Sequence, residues 1–524
     1  MSSLDAVISG GWIADGSGAA PFRANIGILN GRIAAVDSGV LHADRVIEAD
    51  GRVVAPGFID LHSHAEYRVQ AEPAAETVLL QGVTTLVTGN CGFSPFPVAD
   101  LGLLRSWSTF LGDGLRWDWT DFESFCEAVD RSHPGVNIAP QMGHAALRLA
   151  AMGDGERPPS SAELQTMVDL LQAAAVQGCW GFSTGLIYAP GSFSDSSEVA
   201  ALAAVAARND MLYSTHLRDE TSRLADAVAE AIACSEETGV RLQISHLKAM
   251  GPGNHGGVHQ ALKLIDGARE RGVDVAADVY PYTASATTLT SRLPGWALDG
   301  GTAALLSRLR VPTLRDRMAA EIRGRFGSDI DPDGVVVSEL GEGPYRDRIG
   351  QSLADIGAGE NVDPAEAMLR ILERHGAEAS IINHAMNEAD VEAVLAHPVV
   401  SVASDGDQLS AGGSGPTHPR SFGTFPRVLG RYVRERGLLE LSEAVRKMTS
   451  LPASRLGLSN RGRILPGMVA DLTVFDPESV ADRATYEDPR RMSVGITDVL
   501  IAGQAAVSGG QVAAQRFGSV LRRL

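Results

Sequence analysis

The chain is short of the features that would commit it to a membrane, to nucleic acid or to a disulfide framework. Its 524 residues include only four cysteines, Cys91, Cys126, Cys179 and Cys234. They are widely spaced, so a reduced, cytoplasmic protein is expected, with any cysteine serving as core filler or ligand. No hydrophobic run reaches the roughly 20 residues that cross a bilayer. The opening stretch MSSLDAVISGG carries neither a basic n-region nor an apolar h-region, so no secretory leader is expected. Basic residues are in deficit, 45 Lys+Arg against 64 Asp+Glu, for a formal net charge of -19. That balance argues against nucleic-acid or anionic-membrane partners held by a basic surface. What remains is an ordinary soluble composition, 44% hydrophobic and 21% charged, in a chain long enough for a large core.

The two ends share a texture that the middle lacks. Residues 5–56 read as short β segments broken by turns, with a hairpin signal at Asn30-Gly31, and residues 462–511 return to that pattern. A small β-sandwich domain made from residues 1–57 and 462–524 is expected. Between them, from 58 to 461, apolar runs alternate with helical patterns. The runs are FIDL (58–61), TTLVT (84–88), VNIAP (136–140), CWGFST (179–184), MLYST (211–215), RLQIS (241–245), VDVAADVY (273–280) and VVSVAS (399–404). Eight strand–helix repeats predict an α/β fold with a distorted TIM (β/α)8 barrel. SIIN (380–383) is a ninth strand-like run, in place of another barrel strand or added to them. Residues 284–345, rich in Arg, Gly and Pro, read as an insertion over the active site.

Six metal-type ligands fall at or just past the ends of these strands. His62 and His64 follow FIDL, and side chains two apart on extended backbone point the same way. Cys91 lies in the turn after TTLVT, His216 ends MLYST, His246 ends RLQIS, and Asp405 ends VVSVAS. Each alone is read most simply as a hydrogen-bonded strand-end group. Six together are not, because the C-terminal ends of barrel strands are where catalytic groups converge.

GFIDLHSH resembles the first-strand signature of the amidohydrolase superfamily. TTLVTGNCGFSPFP, GFSTGLIYAPGSFSD, STHLRDE, ISHLKAMG, DVYPYTAS, VASDG and GRILPGMVADLTVFD resemble one branch of it, the D-aminoacylases and N-acyl-D-amino-acid deacylases. The resemblance runs almost end to end. It implies that Cys91, His216 and His246 hold one tight Zn2+, and that His62, His64 and Asp405 line a second, weaker metal position. The bridging lysine of hydantoinases and dihydroorotases has no counterpart in GFSTGLIYAPG. A thiolate and two imidazoles leave a fourth position open, as a catalytic zinc requires.

Asp405 is expected to act first as base toward water and then as acid toward the departing amine. The resemblance also implies a substrate-carboxylate site from Lys248, Tyr280, Tyr282, Ser285 and Arg292. The expected activity is hydrolysis of N-acyl-D-amino acids. A dipeptidase for peptides with a C-terminal D-residue is the enzyme alternative, and a non-catalytic scaffold the alternative of another class. Partners are small molecules; the oligomeric state is not legible in the sequence.

Overall fold

The computed structural model of the chain describes residues 4–523 apart from 109, 110, 113 and 414–416. The chain begins with five strands, β1 (Leu4–Ile13), β2 (Phe22–Leu29), β3 (Arg32–Asp37), β4 (Ala43–Glu48) and β5 (Val53–Pro56). Seven parallel strands follow: β6 (Phe58–Asp60), β7 (Val83–Thr88), β8 (Asn137–Gly143), β9 (Gly181–Gly185), β10 (Leu212–His216), β11 (Arg241–Ile244) and β12 (Val275–Val279). Then come β13 (Ser285–Thr288), β14 (Val335–Glu339), β15 (Ser380–Asn383) and β16 (Val400–Val402). The chain finishes with β17 (Leu472–Phe475), β18 (Ile496–Ile501), β19 (Gln504–Ser508) and β20 (Gln511–Val512).

The eight runs read from the sequence are the eight strands of a nearly closed parallel barrel, in the order β16-β12-β11-β10-β9-β8-β7-β6. These strands are buried along almost their whole length. That is why they read as continuous apolar runs rather than alternating ones. Between β6 and β16 the circle is completed beyond the strand ends. Asp405 N donates to His62 O at 2.8 Å and His64 N donates to Gly406 O at 2.9 Å. The closing seam thus runs through three of the six expected ligands.

Helices pack outside the strands and several have clear start signals. Ser161–Val176 opens on a capping box between Ser160 and Glu163, and Ser196–Arg208 on an Asp195 cap. The terminal segments meet in one nine-stranded sheet, in which β17 pairs with β5. Its first strand is shared: β1 pairs with β4 through Leu4–Ser9 and with β5 at Trp12 and Ile13. The sheet therefore bends around an apolar core of Ile8, Ile26, Val54, Leu472 and Leu500.

SIIN is not a barrel strand. It is β15, which pairs antiparallel with both β13 and β14 in a three-stranded sheet. Its layer has a separate core that runs from Leu289 to Ile381. The excursion expected at 284–345 thus continues to β15, and it roofs the C-terminal ends of the barrel strands. Among the described residues no helix is long and apolar enough to cross a membrane.

Candidate metal centre

The six strand-end ligands meet in one buried cluster. Cys91 Sγ lies 3.3 Å from His62 Nε2, 3.5 Å from His216 Nδ1 and 3.5 Å from His246 Nε2. Asp405 Oδ1 lies 3.3 Å from both His62 Nε2 and His64 Nε2. Ligand atoms of His62, Cys91, His246 and Asp405 all fall within 4.8 Å of one another. A tetrahedral zinc with ordinary Zn–N and Zn–S bonds sets N and S about 3.5 Å apart. The thiol and its imidazoles are spaced for that ion, and the donor set suits it.

Local backbone explains how these side chains reach the centre. Cys91, His246 and Asp405 have φ of 54°, 34° and 52°, in the left-handed region that side chains disfavour. Each strand turns sharply just after leaving the barrel, which throws its ligand inward. The Cys91 turn is pressed against β9: a Cβ added at Gly185 would lie 1.9 Å from Cys91 O. Asn90 locks the same turn, donating to Val87 O at 3.0 Å and accepting from Gln141 at 2.9 Å.

The electrostatics single out one thiol among four. Burial pushes Cys179 and Cys234 up to about 12, and raises Cys126 as well. Burial pushes Cys91 in the same direction, but the charge of His62 and hydrogen bonds with His216 and His246 outweigh it. The thiol is held well below its ordinary value, in the thiolate form that binds metal. Asp405 is likewise buried, yet Arg420, His246 and His62 hold its carboxyl far below the usual range. Arg420 Nη1 donates to Asp405 Oδ2 at 2.6 Å.

Behind the imidazoles stand carboxylates that the sequence reading did not single out. Glu220 Oε2 lies 3.3 Å from His216 Nε2, and its Oε1 lies 3.1 Å from His246 Nδ1. One buried carboxylate thus faces the outer nitrogen of both rings, leaving Nδ1 of His216 and Nε2 of His246 toward Cys91. Asp278 Oδ1 lies 3.5 Å from His62 Nδ1, and Glu66 Oε1 lies 3.7 Å from His64 Nδ1. Such partners fix tautomer and ring orientation in metal sites. Glu220 had a signal: it sits four residues past His216 in STHLRDE. Asp278 had one too, as an acid inside the apolar run VDVAADVY.

The expected carboxylate-binding residues are distributed around this centre. Lys248 Nζ lies 2.6 Å from Glu220 Oε1 and 2.7 Å from His246 Nδ1, so its ammonium faces the inner network. Tyr280 is buried between two cations, Lys248 and Arg420, 5.6 and 5.3 Å from its ring centre. Its hydroxyl has no hydrogen-bond partner among the described residues. Tyr282 instead donates to Pro419 O at 3.4 Å beneath the Arg427 guanidinium. Ser285 Oγ faces Met250 Sδ at 3.8 Å on β13. Arg292 is buried and makes no ion pair among the described residues; its Nε donates to Ser291 Oγ at 3.2 Å. Burial, then the nearby Arg325, lowers Arg292 to about 10.

A pocket that opens to solvent lies over the centre. Its floor is His64, Cys91, His216, His246 and Asp405, and its roof is Ala286, Thr287, Ser338 and Ile381 from the three-stranded sheet. Arg420, in the stretch after Asp405, lines it as well, and so does Asp407.

Residues 45–507 match the Amidohydrolase family. Over all of its length the chain is 39% identical to an N-acyl-D-glutamate deacylase of Alcaligenes xylosoxydans xylosoxydans, covering 97% of that protein. It is 34% identical to a D-aminoacylase of the same organism, over 99% of this chain and 98% of the relative. Among solved structures it resembles the N-acyl-D-glutamate deacylase of Bordetella bronchiseptica, complexed with zinc and a phosphonate that mimics the tetrahedral intermediate. That likeness has a TM-score of 0.84 at 39% identity and covers 99% of this chain and 100% of the other.

Proposed function

This chain belongs to the amidohydrolase family, in its D-aminoacylase branch, and from that premise we propose that it is a zinc-dependent deacylase of N-acyl-D-amino acids. One observation carries the reading: a thiolate, four imidazoles and Asp405 converge from five strand ends under one pocket. Cys91, His216 and His246 would hold the tight zinc; His62, His64 and Asp405 would line the weaker position. When bound, zinc supplies Lewis acidity that lowers the pKa of water and polarises the acyl carbonyl.

The chain's own residues do the rest. Asp405 Oδ1 accepts the proton of the attacking water. Arg420 keeps that carboxylate ionised and aimed, through Oδ2. The same carboxyl group then returns the proton to the amide nitrogen as the C–N bond breaks. The two steps are sequential, so one group serves both. A carboxylate and a free D-amino acid leave.

Arg292 is a buried cation with no ion-pair partner among the described residues, which is costly unless a ligand supplies an anion. The substrate carboxylate is the natural partner, with the Tyr280 hydroxyl as a donor and Lys248 behind it. Fixing that carboxylate and the scissile carbonyl leaves two places for the side chain, and the pocket admits one enantiomer.

The test is zinc content by elemental analysis beside release assays on N-acetyl-D-amino acids, N-acetyl-L-amino acids and D-terminal dipeptides. Bound zinc with release from N-acetyl-D-amino acids alone is the expected result. Release from the dipeptides alone would make the enzyme a dipeptidase, and a folded protein with no zinc and no release would be a scaffold.

A further inference from the structure

A second cavity adjoins the pocket over the metal centre. Phe93 and Tyr188 line both spaces. Their rings stand 5.5 Å apart, centre to centre, and form the boundary between them. Phe93 lies two residues past the ligand Cys91. The Tyr188 ring meets His216 edge-on at 4.9 Å, and its hydroxyl is hydrogen-bonded to Thr287 on the roof at 3.0 Å. This boundary is therefore tied to the metal ligands on one side and to the roof on the other.

The two spaces differ in chemistry. The first carries Asp405, Asp407, Arg420 and Glu339. In the second, Trp107, Ile187, Leu298 and Leu305 join the two aromatic rings, and no described residue lining it is charged. An N-acyl amino acid has the same division. Its amino-acid half is anionic, and its acyl half is uncharged and begins at the scissile carbonyl. Among the described residues Arg420 is the guanidinium lining the first pocket and no cation lines the second, so the anionic half belongs on the side of the first. An acetyl group, one methyl long, would leave the second cavity empty.

We propose that the second cavity is an acyl-chain subsite, and that the substrates this enzyme handles best carry a medium-length aliphatic acyl group. The proposal rests on the deacylase reading for its substrate, but not for its binding test. Each buried methylene is worth about 0.8 kcal/mol, so two add roughly tenfold in kcat/KM where chain and cavity are in register.

The experiment uses the zinc-loaded full chain and an acetyl, butanoyl, hexanoyl and octanoyl series on one D-amino acid. The expected result is a kcat/KM that climbs by roughly tenfold per two carbons until the cavity is full. Leu298→Trp, which fills the cavity from the roof side, lowers the octanoyl-to-acetyl ratio by about tenfold or more. Thr302→Trp, at an exposed position on the rim, gives the same change should the first variant fold poorly. Equilibrium dialysis with labelled octanoate and acetate reads the cavity without turnover, and octanoate binds more tightly in the parent but not in the variants. A flat or falling chain-length series, or a ratio that neither variant moves, overturns the proposal. So does a gain that follows the D-side chain at fixed acetyl. Tight octanoate binding that the variants abolish, with no release from any N-acyl-D-amino acid, keeps the subsite and removes the deacylase reading.

Discussion

On one flank of the metal centre a single carboxylate serves two rings. Glu220 reaches His216 and His246 at 3.3 and 3.1 Å and is itself anchored by Lys248 Nζ at 2.6 Å. On the other flank His62 and His64 each face their own carboxylate, at 3.5 and 3.7 Å. There the Nδ1 atoms of both rings, and both oxygens of Glu66, have no hydrogen-bond partner among the described residues; His216 Nε2 on the first flank has none either, and that flank is tied by Lys248, which is bonded to Glu220 Oε1 and His246 Nδ1. Burial, the largest influence on Glu66, raises its pKa, whereas Glu220 is held well below the usual range against its own burial by His216, Lys248 and His246. The first flank is braced at His246 through Lys248 and Glu220; on the second, Asp278 is anchored by Gln243 and the His246 backbone, and the His64–Glu66 side is the loosely tied part. A braced ring has already lost the rotational freedom that metal binding would remove, so the tighter metal position is expected on the Glu220 side.

Four variants test that contrast, from the largest effect to the smallest. Asp405→Asn sits on the seam between the flanks and removes the proposed proton acceptor. Turnover is expected to fall by about 10³–10⁴, at the upper end of what acid–base catalysis contributes, while zinc content stays near that of the parent. Near-parental kcat would dismiss Asp405 as the base. Cys91→Ala removes the thiolate that both flanks share. Competition with a chelator should show metal affinity down by more than about 100-fold, beyond the usual loss from an outer partner. Full zinc retention by that variant would move the tight site elsewhere.

Glu220→Gln keeps the shape of the shared clamp but cannot accept from both rings and pair with Lys248 equally well. Metal affinity is expected to drop by about 10–100-fold, with circular dichroism unchanged. Glu66→Gln alters the loosely tied flank and should cost less, under about tenfold. If these last two variants lost affinity equally, the two flanks would be equivalent and the contrast would fail.

Much of the framework is legible in the sequence. All eight barrel strands stood out, since strands buried on both faces must be apolar throughout and helices between them must be amphipathic. The six candidate ligands stood out because each interrupted that pattern at the same end of a strand. Glu220 did not, because its meaning depends on His246 from the next strand as much as on His216, and no local spacing relates three such groups. Arg420 lies in a Gly- and Ser-rich stretch whose spacing relates it to no ligand; its contact with Asp405 gives it a task. SIIN was ambiguous for a different reason. A short apolar run is equally good in a barrel and in a roof, and its antiparallel partners β13 and β14 lie far away in the sequence.

By itself, then, the sequence determined the alternation of strands and helices, the set of metal-type side chains and the family to which they point. These follow from periodicity and residue type, which act locally. Tertiary structure decided which nitrogen of each ring faces the thiol, that one carboxylate braces two of them, where the roof closes and what adjoins the pocket beneath it. Those properties depend on distances of a few ångströms between strands remote in sequence, and only the closed barrel sets them.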